Sequence, residues 1–143
     1  MSFNIKTKAA ADTFNLELVG TDDEPIIGDG GKQAAITVYG PGSKAFAKAS
    51  ASRAERMMAR MAKRGKVKLT PEDQAAETAE FLSAITVSLH HFDYEGAATA
   101  EAIKAMYADP TLGFVADQVQ KAVGDWANFT QASMKTSKPA SSN

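Results

Sequence analysis

The sequence predicts an α+β fold, mostly helical with a small N-terminal β-hairpin or meander, and three observations carry that prediction. Residues 12–20 alternate apolar Phe14, Leu16 and Leu18 with polar Asn15 and Glu17, the period of two that marks a half-buried strand. Helix starts follow at Ser43, after Gly40-Pro41-Gly42, and at the cap-plus-proline pairs Thr70-Pro71 and Asp109-Pro110. A length of 143 residues, 44% hydrophobic and 23% charged, suits one globular domain with a small appendage. The chain divides into an N-terminal hairpin region at 1–42, a helical domain at 43–133 and a flexible tail at 134–143.

After the first strand, Thr21-Asp22-Asp23-Glu24-Pro25 reads as a turn, and β-branched Ala34 to Tyr39 returns as a second strand. Two strands are marginal in water, so the hairpin needs the helices or another chain to complete it. Ser43 caps a helix from Lys44 to about Arg64, which Gly65 then ends in the left-handed position. Its apolar side is a thin stripe of Phe46, Ala49, Ala54, Met57, Met58 and Met61. Thr70-Pro71-Glu72-Asp73 starts a second helix that presents Ala75, Ala79, Leu82, Ile85 and Leu89 on one face. Its end is ambiguous, because Ile85 to Leu89 also alternates like a strand. Ala-Ile-Thr-Val occurs at 35–38 after glycines and at 84–87 after a capped helical run, and that context favours strand for the first copy and helix for the second. Ala97 to Tyr107 forms a short helix. Leu112, Val115, Val119, Ala122, Val123, Trp126 and Phe129 then step by threes and fours, which predicts one helix through Gly124 to about Ala132.

The net charge of −1 conceals a partition. Residues 43–69 carry nine bases and one acid, for +8, while residues 70–125 carry ten acids and two bases, for −8. Blocks of opposite sign and equal size most simply pack on each other or on copies of themselves. No cysteine is present, which excludes disulfides, thiolate nucleophiles and Cys-based metal sites. No run approaches the roughly 18 apolar residues of a membrane span, and the first residues lack the apolar core of a signal peptide, so an intracellular protein is expected.

Catalytic constellations are not found. His90-His91 is the only histidine pair, and neighbours on a helix point about 100° apart, too divergent to share a metal as residues four apart can. Gly28-Asp29-Gly30-Gly31 is followed by neither the Lys-Ser/Thr of a P-loop nor a dinucleotide fingerprint, and turn chemistry explains it. Glu77 and Glu80 read as helix surface. No enzyme activity, cofactor or metal is therefore expected. The basic helix could neutralise nucleic-acid phosphates, yet Phe46 is its one aromatic residue and no stacking platform accompanies it.

Four passages carry a family resemblance: Ile36-Thr37-Val38-Tyr39-Gly40-Pro41-Gly42-Ser43-Lys44, Phe92-Asp93-Tyr94-Glu95-Gly96, Tyr107-Ala108-Asp109-Pro110, and Leu112-Gly113-Phe114-Val115-Ala116-Asp117-Gln118-Val119, the last continuing into Val123 to Phe129. Together they resemble the tail assembly chaperones and related small tail proteins of long-tailed bacteriophages, over roughly residues 12–132. The resemblance implies a non-enzymatic protein in the cytoplasm of the infected host, which binds the tape-measure protein and recruits tail-tube (major tail) subunits around it. The alternative within the same resemblance is a virion structural protein, a minor tail or head-tail completion part.

The residues suited to such a partner lie on the first helix. Met57, Met58 and Met61 offer flexible thioethers that repack against varied apolar surfaces, or else fill a soft core. Arg53, Arg56 and Arg60 follow a neighbouring row, where guanidinium groups would meet the acidic edge of a partner helix. The unfinished hairpin and the two charge blocks also make a homo-oligomer an expectation.

Overall fold

A hairpin with apolar residues on one face of both strands must bury that face and find partners for its edges. The computed structural model describes residues 3–64 and 70–130; the expected helix end at Gly65 and the tail at 134–143 lie outside them. Strands β1 (Thr13–Glu17) and β2 (Ala35–Tyr39) pair antiparallel, with Phe14 opposite Val38 and Leu16 opposite Ile36. A third strand, β3 (Thr86–His90), completes an antiparallel sheet in the order β1-β2-β3, with Ile36 opposite Leu89. Phe14, Leu16, Ile36, Val38 and Leu89 thus share one face, while the register shifts between Thr37 and Val38, and Val87 of β3 is 44% exposed. The other face is polar, and there the Thr37 hydroxyl bonds Asn15 at 3.2 Å and His90 Nε2 at 2.8 Å.

β3 corrects the helical reading of residues 85–89, and with it the placement of His90 and His91 at a helix end. Helix α2 (Pro71–Ala84) stops where Ile85 leaves helical geometry, at φ −101° and ψ 5°. The Ile85 carbonyl accepts the Tyr39 N–H at 2.8 Å, and the Thr86 hydroxyl donates back to the Leu82 carbonyl at 2.8 Å, closing the last helical turn. The open edge of β2 requires donors and acceptors, and a β-branched segment supplies them at less cost than it would extend a helix. Both copies of Ala-Ile-Thr-Val consequently contribute to the same sheet.

The helix starts follow the sequence chemistry. Ser43 Oγ accepts the Phe46 N–H at 3.1 Å ahead of α1 (Lys44–Arg64), and Thr70 and Asp73 cap each other reciprocally ahead of α2. Thr99 caps α3 (Ala100–Ala108), three residues later than expected. After a 3-10 turn at Pro110–Leu112 comes α4 (Gly113–Val123). The expected run through Gly124 to Ala132 does not form. At Gly124 the helix ends, the Asp125 carboxylate accepts the Ala127 N–H at 3.0 Å to start a new turn, and the Asn128 side chain donates to the Ala122 carbonyl at 3.1 Å. The bend carries Phe129 into the core and leaves Trp126 exposed. α4 is tied to the sheet by Gln118, whose amide accepts the Val19 N–H at 2.9 Å and donates to the Val19 carbonyl at 2.8 Å, as a neighbouring strand would.

Ile36, Val38, Leu82, Ile85, Met106, Val119 and Phe129 are fully or almost fully buried in one cluster, so residues on both sides of position 42 share a core. Phe129 packs edge-on to Phe14 with centroids 5.7 Å apart, and its ring lies against Gly40 so closely that a Cβ there would overlap it. Gly40→Ala should lower unfolding free energy by about 1–3 kcal/mol in urea titration, the usual cost of overpacking. Adding Phe129→Leu should recover part of that loss, and a strictly additive pair would show that the ring is not the obstacle.

Candidate functional site

Burying a carboxylate is costly unless cations meet it, and α2 buries one. Glu77 is 4% exposed, and the sequence assigned it to the helix surface. Arg56 of α1 reaches it with Nε at 2.9 and 3.1 Å from the two carboxylate oxygens, and Arg60 reaches Glu77 at 3.5 Å and Asp73 at 3.6 Å. Arg53 lies over the Phe81 ring, 4.9 Å from its centroid, and Phe81 meets Phe46 edge-on at 5.4 Å. All three arginines singled out in the sequence are therefore turned onto α2. The acidic edge expected from a partner is supplied by this chain, and the positive and negative blocks meet across this seam. Arg56 Nη2 is buried without a hydrogen-bond partner among the described residues, so the clamp leaves one donor unmet.

The methionines divide. Met57 is half-buried at the edge of a groove, whereas Met58 and Met61 are 71% and 51% exposed on the outer face of α1. None of the three fills the core. Among the described residues of α1 only Ala49 is buried, so the helix is held by its arginines and Phe46 rather than by an apolar ridge.

Beside Met57 lies a groove of about 1080 Å³ that the sequence did not reveal. Its floor is α2, through Ala75, Thr78 and Phe81; one wall is α1, through Phe46, Ser50, Arg53, Ala54 and Met57. The opposite wall is the α3–α4 corner from Tyr107 to Pro110 and the face Gly113, Ala116, Asp117 and Gln120, which recurs at one helical spacing. Small side chains on both walls let another backbone come close, and the rims carry opposite charge, Arg53 against Asp109 and Asp117. The far wall was detectable only as that spacing of small and polar residues, a signal without meaning until α2 is placed between the walls.

The corner is rigid for a local reason. Asp109 accepts the Thr111 hydroxyl at 2.7 Å, the Thr111 N–H at 2.9 Å and the Tyr94 hydroxyl at 3.0 Å. The Thr111 side chain first, then its N–H and the Tyr94 hydroxyl, hold the Asp109 carboxyl below the usual range. Tyr107 shares a bond with Thr86 at 2.8 Å, and burial pushes its phenol up to about 12, with that bond opposing.

Other motifs have structural duties. His90 Nε2 bonds Thr37 and Ser88 on the polar sheet face, and its ring centroid stands 6.4 Å from that of His91. In the glycine segment, the Asp29 N–H donates to the His91 carbonyl at 2.7 Å, and Gly28 lies so near that carbonyl that no side chain fits. Comparison with family models, with curated proteins and with solved structures finds no match for the chain. Glu77→Ala should lower unfolding free energy by about 2 kcal/mol, short of the 3–5 kcal/mol typical of a fully buried pair because the arginines are about a third exposed. A double-mutant cycle with Arg56→Ala should show coupling, and additive losses would contradict the clamp.

Proposed function

We propose that this chain is a tail assembly chaperone of a long-tailed bacteriophage, a binding protein rather than an enzyme, which holds an apolar helix of the tape-measure protein in the groove between α1 and α4 while tail-tube subunits are recruited. The observation that carries the reading is the groove itself, a trough of about 1080 Å³ with small residues in its lining and oppositely charged rims. Docking an amphipathic helix into such a trough is a recurrent mode of recognition, with apolar anchors on the floor and charge at the edges setting orientation. A tape-measure helix basic on one edge and acidic on the other would meet Asp109 and Asp117 on one side and Arg53 on the other.

The resemblance supports the same reading from another direction. Two of its four passages, Tyr107 to Pro110 and Leu112 to Val119, supply the far wall, and a third, Ile36 to Lys44, supplies β2 and the cap of α1. Met57 and Arg53 line the groove, where they would meet the partner, while Arg56 and Arg60 orient α1 against α2.

Gly113 makes the test clean. A Cβ placed there would meet nothing within 4 Å, and the residue has ordinary helical geometry, φ −56° and ψ −30°. Gly113→Trp should therefore leave thermal unfolding unchanged or slightly raised while filling the groove. In co-expression with its cognate tape-measure protein, the wild-type chain should keep that protein soluble and co-purify with it, and the Gly113→Trp chain should not. Normal capture by the variant would remove the groove from the reading. Recovery of the chain in purified particles would replace the chaperone with a virion component.

A further inference from the structure

The outer face of α1 carries a second pattern, which shares only Ala54 with the groove wall. Ala47, Ala51, Ala54, Met58 and Met61 step by four, three, four and three residues, and all five are exposed. That is the spacing of a coiled-coil seam, and an amphipathic helix ordinarily turns such a stripe inward. Here the stripe faces solvent over most of a helix about 31 Å long.

We propose that this seam pairs with the same seam of a second copy of the chain, the two α1 helices running antiparallel about a two-fold axis. The sequence of the stripe is self-complementary in that direction and in one register. Met58 falls opposite the partner's Ala47, Ala51 opposite the partner's Ala54, and Met61 opposite the aliphatic stem of the partner's Lys44, so each large side chain meets a small one or a flexible stem. A two-fold axis requires this reciprocity, because every contact must occur twice with roles exchanged. Small residues at the centre, Ala51 and Ala54, let the backbones approach closely.

Charge selects the same register. Glu55 is the one acid in the basic block, and it lies on the edge of the stripe together with Lys48, seven residues earlier. Both are exposed and neither makes an ion pair among the described residues. In the antiparallel register Lys48 faces the partner's Glu55 and Glu55 faces the partner's Lys48. A parallel pair would instead set Lys48 and Glu55 beside the partner's Ser43 and Ser50, with no opposite charge to meet. Exposed pairs contribute little energy but discriminate between alignments, since only the antiparallel one brings opposite charges together. The contact is one helix pair, below the size of a standard interface, so a weak, concentration-dependent dimer is expected.

Sedimentation equilibrium of the full chain over a wide concentration range should show monomer and dimer. Ala51→Arg, at an exposed position, should keep the monomer's thermal unfolding and abolish the dimer. Lys48→Glu and Glu55→Lys should each weaken the dimer at least several-fold, and a mixture of the two variant chains should restore association, because each then faces its opposite. The cysteine-free sequence allows a direct check of register: under mild oxidation, Ala51→Cys chains mixed with Ala54→Cys chains should cross-link, and Met58→Cys chains alone should not. A strict monomer at every concentration, a dimer indifferent to Ala51→Arg, failure of the mixed charge variants to associate, or cross-linking of Met58→Cys to itself would each overturn the proposal.

Discussion

A carboxylate withdrawn from water on α2 sets the terms for the rest of this molecule. Glu77 must be met by cations, and the two that reach it, Arg56 and Arg60, stand on α1. The first helix is consequently fixed by charge and by the stacked group Arg53, Phe81 and Phe46, with Ala49 as its sole buried side chain among those described. Two consequences follow from holding a helix in this way. Its apolar stripe is left outside the core, and it stands away from the α3–α4 corner, so that α2 becomes the floor of a groove and not a covered element. An ordinary amphipathic α1, with leucine in place of the exposed alanines and methionines, would bury its stripe and close that space.

The remainder of the chain supplies the rigidity that such an arrangement requires. The three-stranded sheet, α2, α3 and α4 share a core in which Ile36, Val38, Leu82, Ile85 and Val119 are buried, and Gln118 joins α4 to the strand end at Val19. Asp109, gripping Thr111 and Tyr94, fixes the corner that forms the far wall. The blocks of +8 and −8 cancel, so the net charge of −1 comes from the segments on either side of them, and the exposed surplus of Lys44, Lys48 and Lys63 is what a partner would encounter on α1.

Local chemistry made much of this legible in the sequence. Ser43, Thr70 with Pro71, and Asp109 with Pro110 announce their helical starts because caps and first-turn prolines depend on neighbours a few residues away. The β1–β2 pair was visible for the same reason, in its period of two. What failed was decided at long range. Ile85 to Leu89 alternates like a strand yet follows a capped helix, and only the open edge of β2, nearly fifty residues earlier, settles it as β3. Phe129 keeps helical spacing with Val119 and Val123, but the bond set of Asp125 and Asn128 bends the chain at Gly124 before that spacing can be used. At the candidate site the sequence turned Arg53, Arg56 and Arg60 toward a partner helix, whereas the structure turns them onto α2. Arginines and methionines at intervals of three and four cannot show which row turns inward when the inward partner is a single buried glutamate.

If the charge clamp is what attaches α1 to the core, the helix should open as a separate unit of stability. Native-state hydrogen exchange, resolved by element, tests it most directly. The α1 amides should exchange through an opening that costs less than global unfolding, while amides of β2, α2 and α4 should exchange only when the whole domain unfolds. Exchange of α1 at the same free energy as β2 would contradict it, because the helix would then unfold only with the cooperative core despite contributing Ala49 alone to it among the described residues.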